Sequence, residues 1–332
     1  MLERKEALFY KIRDDGKIEC LLCPRGCSIA EGKVGACLGR ENEGGKLYAI
    51  NYGKTVSVAV DPIEKKPIYN FHPGKLILSI APNGCNFACS YCQNWEISQK
   101  VVPTRELSPI QAVEAAQKYH SVGIAYTYTE PLVWYEYILD TGKLIHQAGM
   151  VNVLVTNGYI KEEPLRRVLP LIDAMNIDVK SMEDSFYRTH CKGRVGPVLR
   201  TARVAKESGC HVEITNLIIP ALNDSDERID GLIDWVAELG VDTPLHFSRY
   251  FPHYKCDLPA TPAETLEKAY EKAKERLRYV YVGNISLPGA SDTYCYNCGS
   301  VLISRAGYFP RIENLEEGRC RICGARSDIV GV

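Results

Sequence analysis

The stretch Ile80-Ala-Pro-Asn-Gly-Cys85-Asn-Phe-Ala-Cys89-Ser-Tyr-Cys92-Gln-Asn-Trp95 decides how the rest of the chain is read. It sets Cys-x3-Cys-x2-Cys directly after an apolar run at 76–80 that has the composition of a buried strand. Three thiolates this close can each hold one iron of a 4Fe-4S cubane, and the odd count leaves the fourth iron open to a ligand from outside the protein. Structural zinc takes four protein ligands, so a triplet argues against it. Three cysteines in a polar turn containing glycine also have no packing purpose.

Outward from this motif, apolar runs at 124–128, 152–156, 174–179, 212–218 and 245–248 alternate with amphipathic stretches near 108–121, 132–148, 162–169, 197–208 and 226–239. That alternation is the βαβ signature of a parallel sheet. Ser108-Pro109 begins one helix well, with a serine cap and proline at the first helical position. A charged helix at 262–278 and a further strand at 279–282 follow. Six βα units are too few for a closed eight-stranded barrel and suit an open one. The expected fold is α/β, a partial (βα)6 barrel over residues 75–284. It is flanked by a Cys-rich metal-binding module at 1–74 and a zinc-ribbon or rubredoxin-like module at 285–332.

The 40 basic and 41 acidic residues nearly cancel, so no nucleic acid or acidic membrane is expected as partner. No apolar run approaches the roughly 20 residues of a membrane helix, and the opening Met1-Leu-Glu-Arg-Lys is not the start of a secretory signal. The chain reads as cytoplasmic. In that compartment 14 cysteines need an explanation other than disulfides.

The central triplet, with aromatic Tyr91 before its last cysteine, resembles the cluster motif of the radical S-adenosylmethionine (SAM) superfamily. The resemblance implies that Cys85, Cys89 and Cys92 are catalytic. They would hold a cluster whose open iron chelates SAM and whose electron releases a 5'-deoxyadenosyl radical that abstracts hydrogen from a substrate. Tyr126-Thr-Tyr-Thr-Glu130-Pro131 ends the second strand where the activases of that superfamily carry Gly-Gly-Glu-Pro; Glu130 and Pro131 agree, while Tyr128 and Thr129 replace the glycines. Thr156-Asn157-Gly158 and Asp178-Val179-Lys180 end the next two strands and are similar to motifs lining the SAM pocket of pyruvate formate-lyase activases. Tyr91, Thr129, Glu130, Asn157, Asp178 and Lys180 are therefore implied cofactor contacts, Glu130 beside the methionine ammonium group. Asn216 on the fifth strand, and His246 and Arg249 near the sixth, join them by strand position.

Together with Cys20-Leu-Leu-Cys23-Pro-Arg-Gly-Cys27 and His246-Phe-Ser-Arg249-Tyr-Phe-Pro252, these motifs are similar to the radical enzyme of the AmmeMemoRadiSam system. That name records Memo-like and AMMECR-type companion proteins, which become implied partners beside a ferredoxin or flavodoxin reductant. Three functions are weighed: a radical SAM enzyme with an unidentified substrate, an activase that installs a glycyl radical on a partner enzyme, and a non-catalytic iron–sulfur electron carrier. The SAM-pocket motifs disfavour the third.

Cys295-x2-Cys298-Gly and Cys320-x2-Cys323-Gly are paired knuckles, and four soft ligands in two tight turns favour tetrahedral zinc, with rubredoxin-like iron the main rival. Cys20, Cys23, Cys27 and Cys37 suit either a structural zinc or a second, fully ligated 4Fe-4S cluster relaying electrons inward. Pro24, Gly26 and Gly35 tilt that choice toward a compact zinc knuckle. Cys191, Cys210 and Cys256 are assigned no chemistry.

Overall fold

Seven parallel strands curve around one core in the computed structural model, which describes residues 4–332. They are β2 (Leu76–Ala81), β3 (Gly123–Tyr126), β4 (Val151–Thr156), β5 (Ala174–Asp178), β6 (His211–Ile218), β7 (Leu245–Arg249) and β8 (Val280–Gly283). An eighth strand, β1 (Ser57–Pro62), pairs antiparallel with β2 from Ser57 opposite Ala81 to Pro62 opposite Leu76. The order across the sheet is the order along the chain, with β1 and β8 at its edges, so the barrel is open. The apolar stretch at 56–60 of the expected N-terminal module thus supplies a strand of the barrel sheet.

Six helices connect the parallel strands: α1 (Pro109–Lys118), α2 (Tyr135–Gln147), α3 (Glu162–Val168), α4 (Val195–Glu207), α5 (Asp226–Leu239) and α6 (Ala263–Lys274). The α/β class and the six βα units expected from the alternating pattern are what the chain forms. Helix α1 starts as its sequence dictates: Ser108 accepts from the Gln111 N–H, and the Gln111 side chain accepts from the Ser108 N–H.

Period-two alternation splits the strands between two packing surfaces. Leu78, Ile80, Ile124, Tyr126, Leu154 and Ile177 join the main core with the helices. Ile77, Ala125, Val153 and Ala174 pack instead with Ile63, Ile68 and Phe71, which close the floor of the barrel. That floor is pinned by Glu213, buried on β6, whose carboxylate accepts the backbone N–H groups of Tyr69 and Asn70 at 3.0 and 2.8 Å.

Small antiparallel sheets flank the barrel. Tyr10–Ile12, Ile18–Cys20 and Ser28–Ile29 form one; Lys5–Glu6, Arg40–Glu43 and Lys46–Ala49 form another, anchored on α2 by the buried Arg40–Glu136 ion pair at 2.6 Å. At the other end Thr293–Tyr294, Val301–Ala306 and Phe309–Ile312 make a three-stranded sheet. Its buried Arg305 donates to the Tyr69 carbonyl at 2.9 Å, while Val330 exchanges backbone bonds with Asn70 and His72 at 2.8 and 2.7 Å. Among the described residues no helix is long and apolar enough to cross a membrane.

Candidate functional site

Beyond Ala81 the chain leaves the sheet, carries the three cysteines through an irregular loop, and re-enters regular structure in a short helix at Trp95–Gln99. Asn83 fastens the two ends of this loop, its amide donating to the Lys100 carbonyl at 2.7 Å and its oxygen accepting from the Val102 N–H at 3.1 Å. The thiols of Cys85, Cys89 and Cys92 line one cavity at the C-terminal ends of the strands. Donors approach their sulfurs: the Phe87 N–H reaches Cys85 at 3.3 Å, the Asn157 amide reaches it at 3.6 Å, and the Ser98 hydroxyl lies 3.4 Å from Cys92. Hydrogen bonds of this kind tune the potential of an iron–sulfur cluster. Burial pushes the Cys85 thiol well above its ordinary value, so a bound cation is what would keep it a thiolate here. The donor set, all sulfur with one ligand missing, fits a site-differentiated 4Fe-4S cluster.

Strand ends supply the rest of the wall. Tyr91, Thr129, Asn157, Asp178 and Lys180 all line the same cavity as the thiols. Lys180 pairs with Asp178 at 2.9 Å. Burial opposes the Lys180 charge, but Asp178 and the thiols of Cys89 and Cys191 outweigh it and hold the ammonium well above its ordinary value. Tyr128, which stands where the activase motif has its first glycine, takes a left-handed φ of +71°. A side chain there costs about 1–2 kcal/mol. Tyr128 is held by its hydroxyl on Asp61 at 2.8 Å and by Asn94 on its carbonyl at 3.0 Å.

Glu130 is placed differently. It does not line the cavity and is fully buried. Its carboxylate accepts from the Leu132 N–H at 3.0 Å, the Thr156 hydroxyl at 2.7 Å and the Asn157 N–H at 2.8 Å. Burial raises its pKa to about 7 against those three bonds. Three more of the expected contacts also stand off the cavity. Asn216 donates to the Val179 carbonyl at 2.7 Å, while its neighbours Thr215 and Leu217 face inward. His246 pairs with Glu213 at 2.6 Å, and Arg249 donates to the Thr261 carbonyl at 2.8 Å.

A residue assigned no chemistry from sequence joins the site. Cys191 is fully buried, lies 3.3 Å from the Tyr91 hydroxyl, and is near enough to Cys89 for each thiol to shift the other's pKa. A π-helical turn, Tyr187–Cys191, brings it there, and the Cys191 and His190 carbonyls accept from the Ala88 and Ser90 N–H groups of the cysteine loop, each at 2.9 Å. A single cysteine far from the triplet has no spacing to mark it.

Thr215, Ser248 and Asn284 border both this cavity and a second one of about 620 Å³ that contains His246, Tyr69 and Arg305. The second cavity runs between the open edge of the barrel and the C-terminal sheet.

The outer cysteines also converge. The sulfurs of Cys295, Cys298, Cys320 and Cys323 all lie within 4.8 Å of one another, with Cys295–Cys323 at 3.6 Å and Cys298–Cys320 at 3.7 Å. That is a closed four-sulfur site able to hold a metal ion. Cys23 is near enough to Cys20, Cys27 and Cys37 for each of their charges to raise its pKa further, beyond the larger effect of burial.

The sequence pattern of the radical SAM superfamily matches residues 79–236. The chain is 50% identical to an uncharacterized protein of Methanocaldococcus jannaschii over 98% of this chain and 99% of that one. It is 26% identical to a putative glycyl-radical enzyme activating enzyme of the same organism, covering 63% of this chain and 79% of the relative. Against the pyruvate formate-lyase-activating enzyme of Clostridium pasteurianum the identity is 24%, over 47% and 67% respectively. Among solved structures it is similar to SuiB of Streptococcus suis bound to S-adenosylmethionine, with a TM-score of 0.52 and 13% identity over 67% of this chain and 53% of that one. At such identity the likeness is one of fold.

Proposed function

We propose, from the premise that this chain belongs to the radical SAM superfamily, that Cys85, Cys89 and Cys92 hold a 4Fe-4S cluster to which SAM binds in the cavity described above. The observation that carries this reading is that the three thiols share one cavity with Thr129, Asn157, Asp178 and Lys180 from three successive strand ends. When bound, the cluster and SAM supply a one-electron cleavage whose radical product takes hydrogen from a substrate. The protein's part is to position and shield. Asn157 faces both the Cys85 sulfur and the cavity, and its backbone is held by Glu130, so Glu130 is a positioning residue for SAM. Lys180 brings a positive charge to a wall whose one carboxylate, among the described residues, is Asp178.

The adjoining cavity of about 620 Å³ is where a substrate would meet SAM, through the border at Thr215, Ser248 and Asn284. A glycyl-radical enzyme as protein substrate is the second reading, favoured by the relatives named as activating enzymes. A reduced ferredoxin or flavodoxin supplies electrons in either case. Memo-like and AMMECR-type proteins are proposed companions, and the cytoplasm the compartment.

Anaerobic reconstitution with iron and sulfide tests the proposal. SAM is expected to change the electron paramagnetic resonance (EPR) spectrum of the reduced protein, and 5'-deoxyadenosine is expected to form. Cys89→Ala at the parent rate of 5'-deoxyadenosine formation would overturn the assignment.

A further inference from the structure

We infer that Cys20, Cys23, Cys27 and Cys37 hold a second 4Fe-4S cluster, fully ligated by this chain, that passes electrons to the cluster at Cys85, Cys89 and Cys92. The acceptor in this inference rests on the function proposed above; the iron at the second site does not.

Spacing separates iron–sulfur from zinc. Zinc with Zn–S bonds of about 2.3 Å sets its four sulfurs roughly 3.8 Å apart, the spacing found in the C-terminal module. A cubane puts each thiolate on a different iron, so its sulfurs stand roughly 6 Å apart. Among the described residues the C-terminal module alone brings three or more such ligand atoms within 4.8 Å of one another. No three of the N-terminal sulfurs lie that close together, and the same holds for Cys85, Cys89 and Cys92, although Cys20, Cys27 and Cys37 are each near enough to Cys23 to act on its charge.

A buried charge points to the same site. Arg40 is 1% exposed, its charge acts on Cys20 and Cys37, and its Nε has no hydrogen-bond partner. An unused donor on a buried cation beside Cys20 and Cys37 is suited to an anionic metal–sulfur centre.

Position makes it a relay. Cys23, Cys27 and Cys37 are each partly exposed, which opens this site to a donor from solution. On the inner side the Arg25 guanidinium donates to the Asn86 carbonyl at 3.0 Å, and the Cys37 carbonyl packs so closely on Gly84 that an added Cβ would fall 2.0 Å from it. Gly84 and Asn86 flank Cys85, so the two centres are joined through a few atoms of backbone. The electron count is one in and one out. A low-potential one-electron protein donor reduces the second cluster, which then reduces the SAM-binding cluster and returns to its oxidised state, with no proton moved.

Two full-length variants test this, each reconstituted anaerobically with iron and sulfide. In Cys85→Ala/Cys89→Ala/Cys92→Ala the N-terminal site is untouched, and about four irons per chain should remain. Their EPR signal should appear on reduction by flavodoxin and be unaffected by SAM. Zinc in place of iron at that site, or a cluster that flavodoxin cannot reduce, overturns the inference. In Cys23→Ser/Cys37→Ser the iron content should fall by about half, and SAM cleavage driven by dithionite should persist. Cleavage driven by flavodoxin should fall at least about tenfold; an unchanged rate overturns the relay. Failure of the proposed function reads differently: the first variant keeps its irons while SAM leaves the spectrum of the parent unchanged.

Discussion

The Glu130 carboxylate accepts the Asn157 N–H at 2.8 Å from a fully buried position, while the Asn157 side chain turns to the Cys85 sulfur. In Glu130→Gln one oxygen acceptor becomes a donor facing the Leu132, Thr156 or Asn157 donors. The loss of about 1–3 kcal/mol that a mismatched buried hydrogen bond carries should displace Asn157. SAM affinity is expected to fall about tenfold with iron content unchanged, measured by the titration of the EPR change. Equal affinity in parent and variant would remove Glu130 from SAM positioning.

The same carboxyl gives a pH signature in the metal-free chain. Burial raises its pKa from the ordinary 4.5 to about 7, hydrogen bonds notwithstanding. An acid whose folded pKa is raised supports the fold fully below the unfolded value and loses that support as pH climbs through the folded one. The loss is about 3 kcal/mol. Between pH 4.5 and 7 the urea midpoint of the parent should therefore decline relative to that of Glu130→Gln. Parallel curves would show that Glu130 titrates normally.

Cys191 stands beside Cys89, near enough for each thiol to shift the other's pKa; with Cys89 on iron, the Cys191 S–H is the donor left beside that sulfur. Removing a hydrogen-bond donor from a ligand sulfur makes a cluster harder to reduce. Cys191→Ala is expected to lower the midpoint potential of the SAM-binding cluster without loss of iron, read in a redox titration followed by EPR, while Cys191→Ser restores it. An unchanged potential in Cys191→Ala would reduce this residue to packing.

Arg305 ties the C-terminal sheet to the barrel floor through the Tyr69 carbonyl, and it also donates within its own module to the Ser291 carbonyl and the Thr293 hydroxyl. Arg305→Ala leaves three acceptors short of a donor in a buried setting and should cost about 3 kcal/mol. A lower Tm is expected, with SAM cleavage by the folded holoprotein unaffected in an assay without substrate. A folded variant that has lost SAM cleavage would tie this module to radical formation.

Gly84 permits the close approach of Cys37 to the cysteine loop at a φ of +99°. Gly84→Ala cannot be accommodated by a side-chain shift, because the obstacle is a backbone carbonyl. Reduced iron loading and a lower Tm are expected together, checked by metal analysis and calorimetry. Parent-like values for both would mean the loop and module separate freely.

Much of this architecture was legible because strands and helices leave periodic traces and because barrel chemistry gathers where strands end. Thr129, Asn157, Asp178 and Lys180 could be picked out from their places after apolar runs, and they share the cavity. Asn216 could not be oriented the same way. Adjacent strand residues face opposite sides, and a sequence does not reveal which of Thr215 and Asn216 points inward. Glu130 shows a different limit: a carboxylate at a strand end can hold a neighbour's backbone instead of lining the cavity, and only the distances reveal which. Cys191 reaches the Tyr91 hydroxyl through a turn whose register no local pattern encodes.

Val330 bonds to Asn70 and His72 beneath the barrel. A ribosome makes Val330 long after the first two cysteine groups, so the floor stays unlatched until well after those thiols have been made. The latch is thus not needed to make either set of thiols, and metal delivery to them can precede closure of the floor.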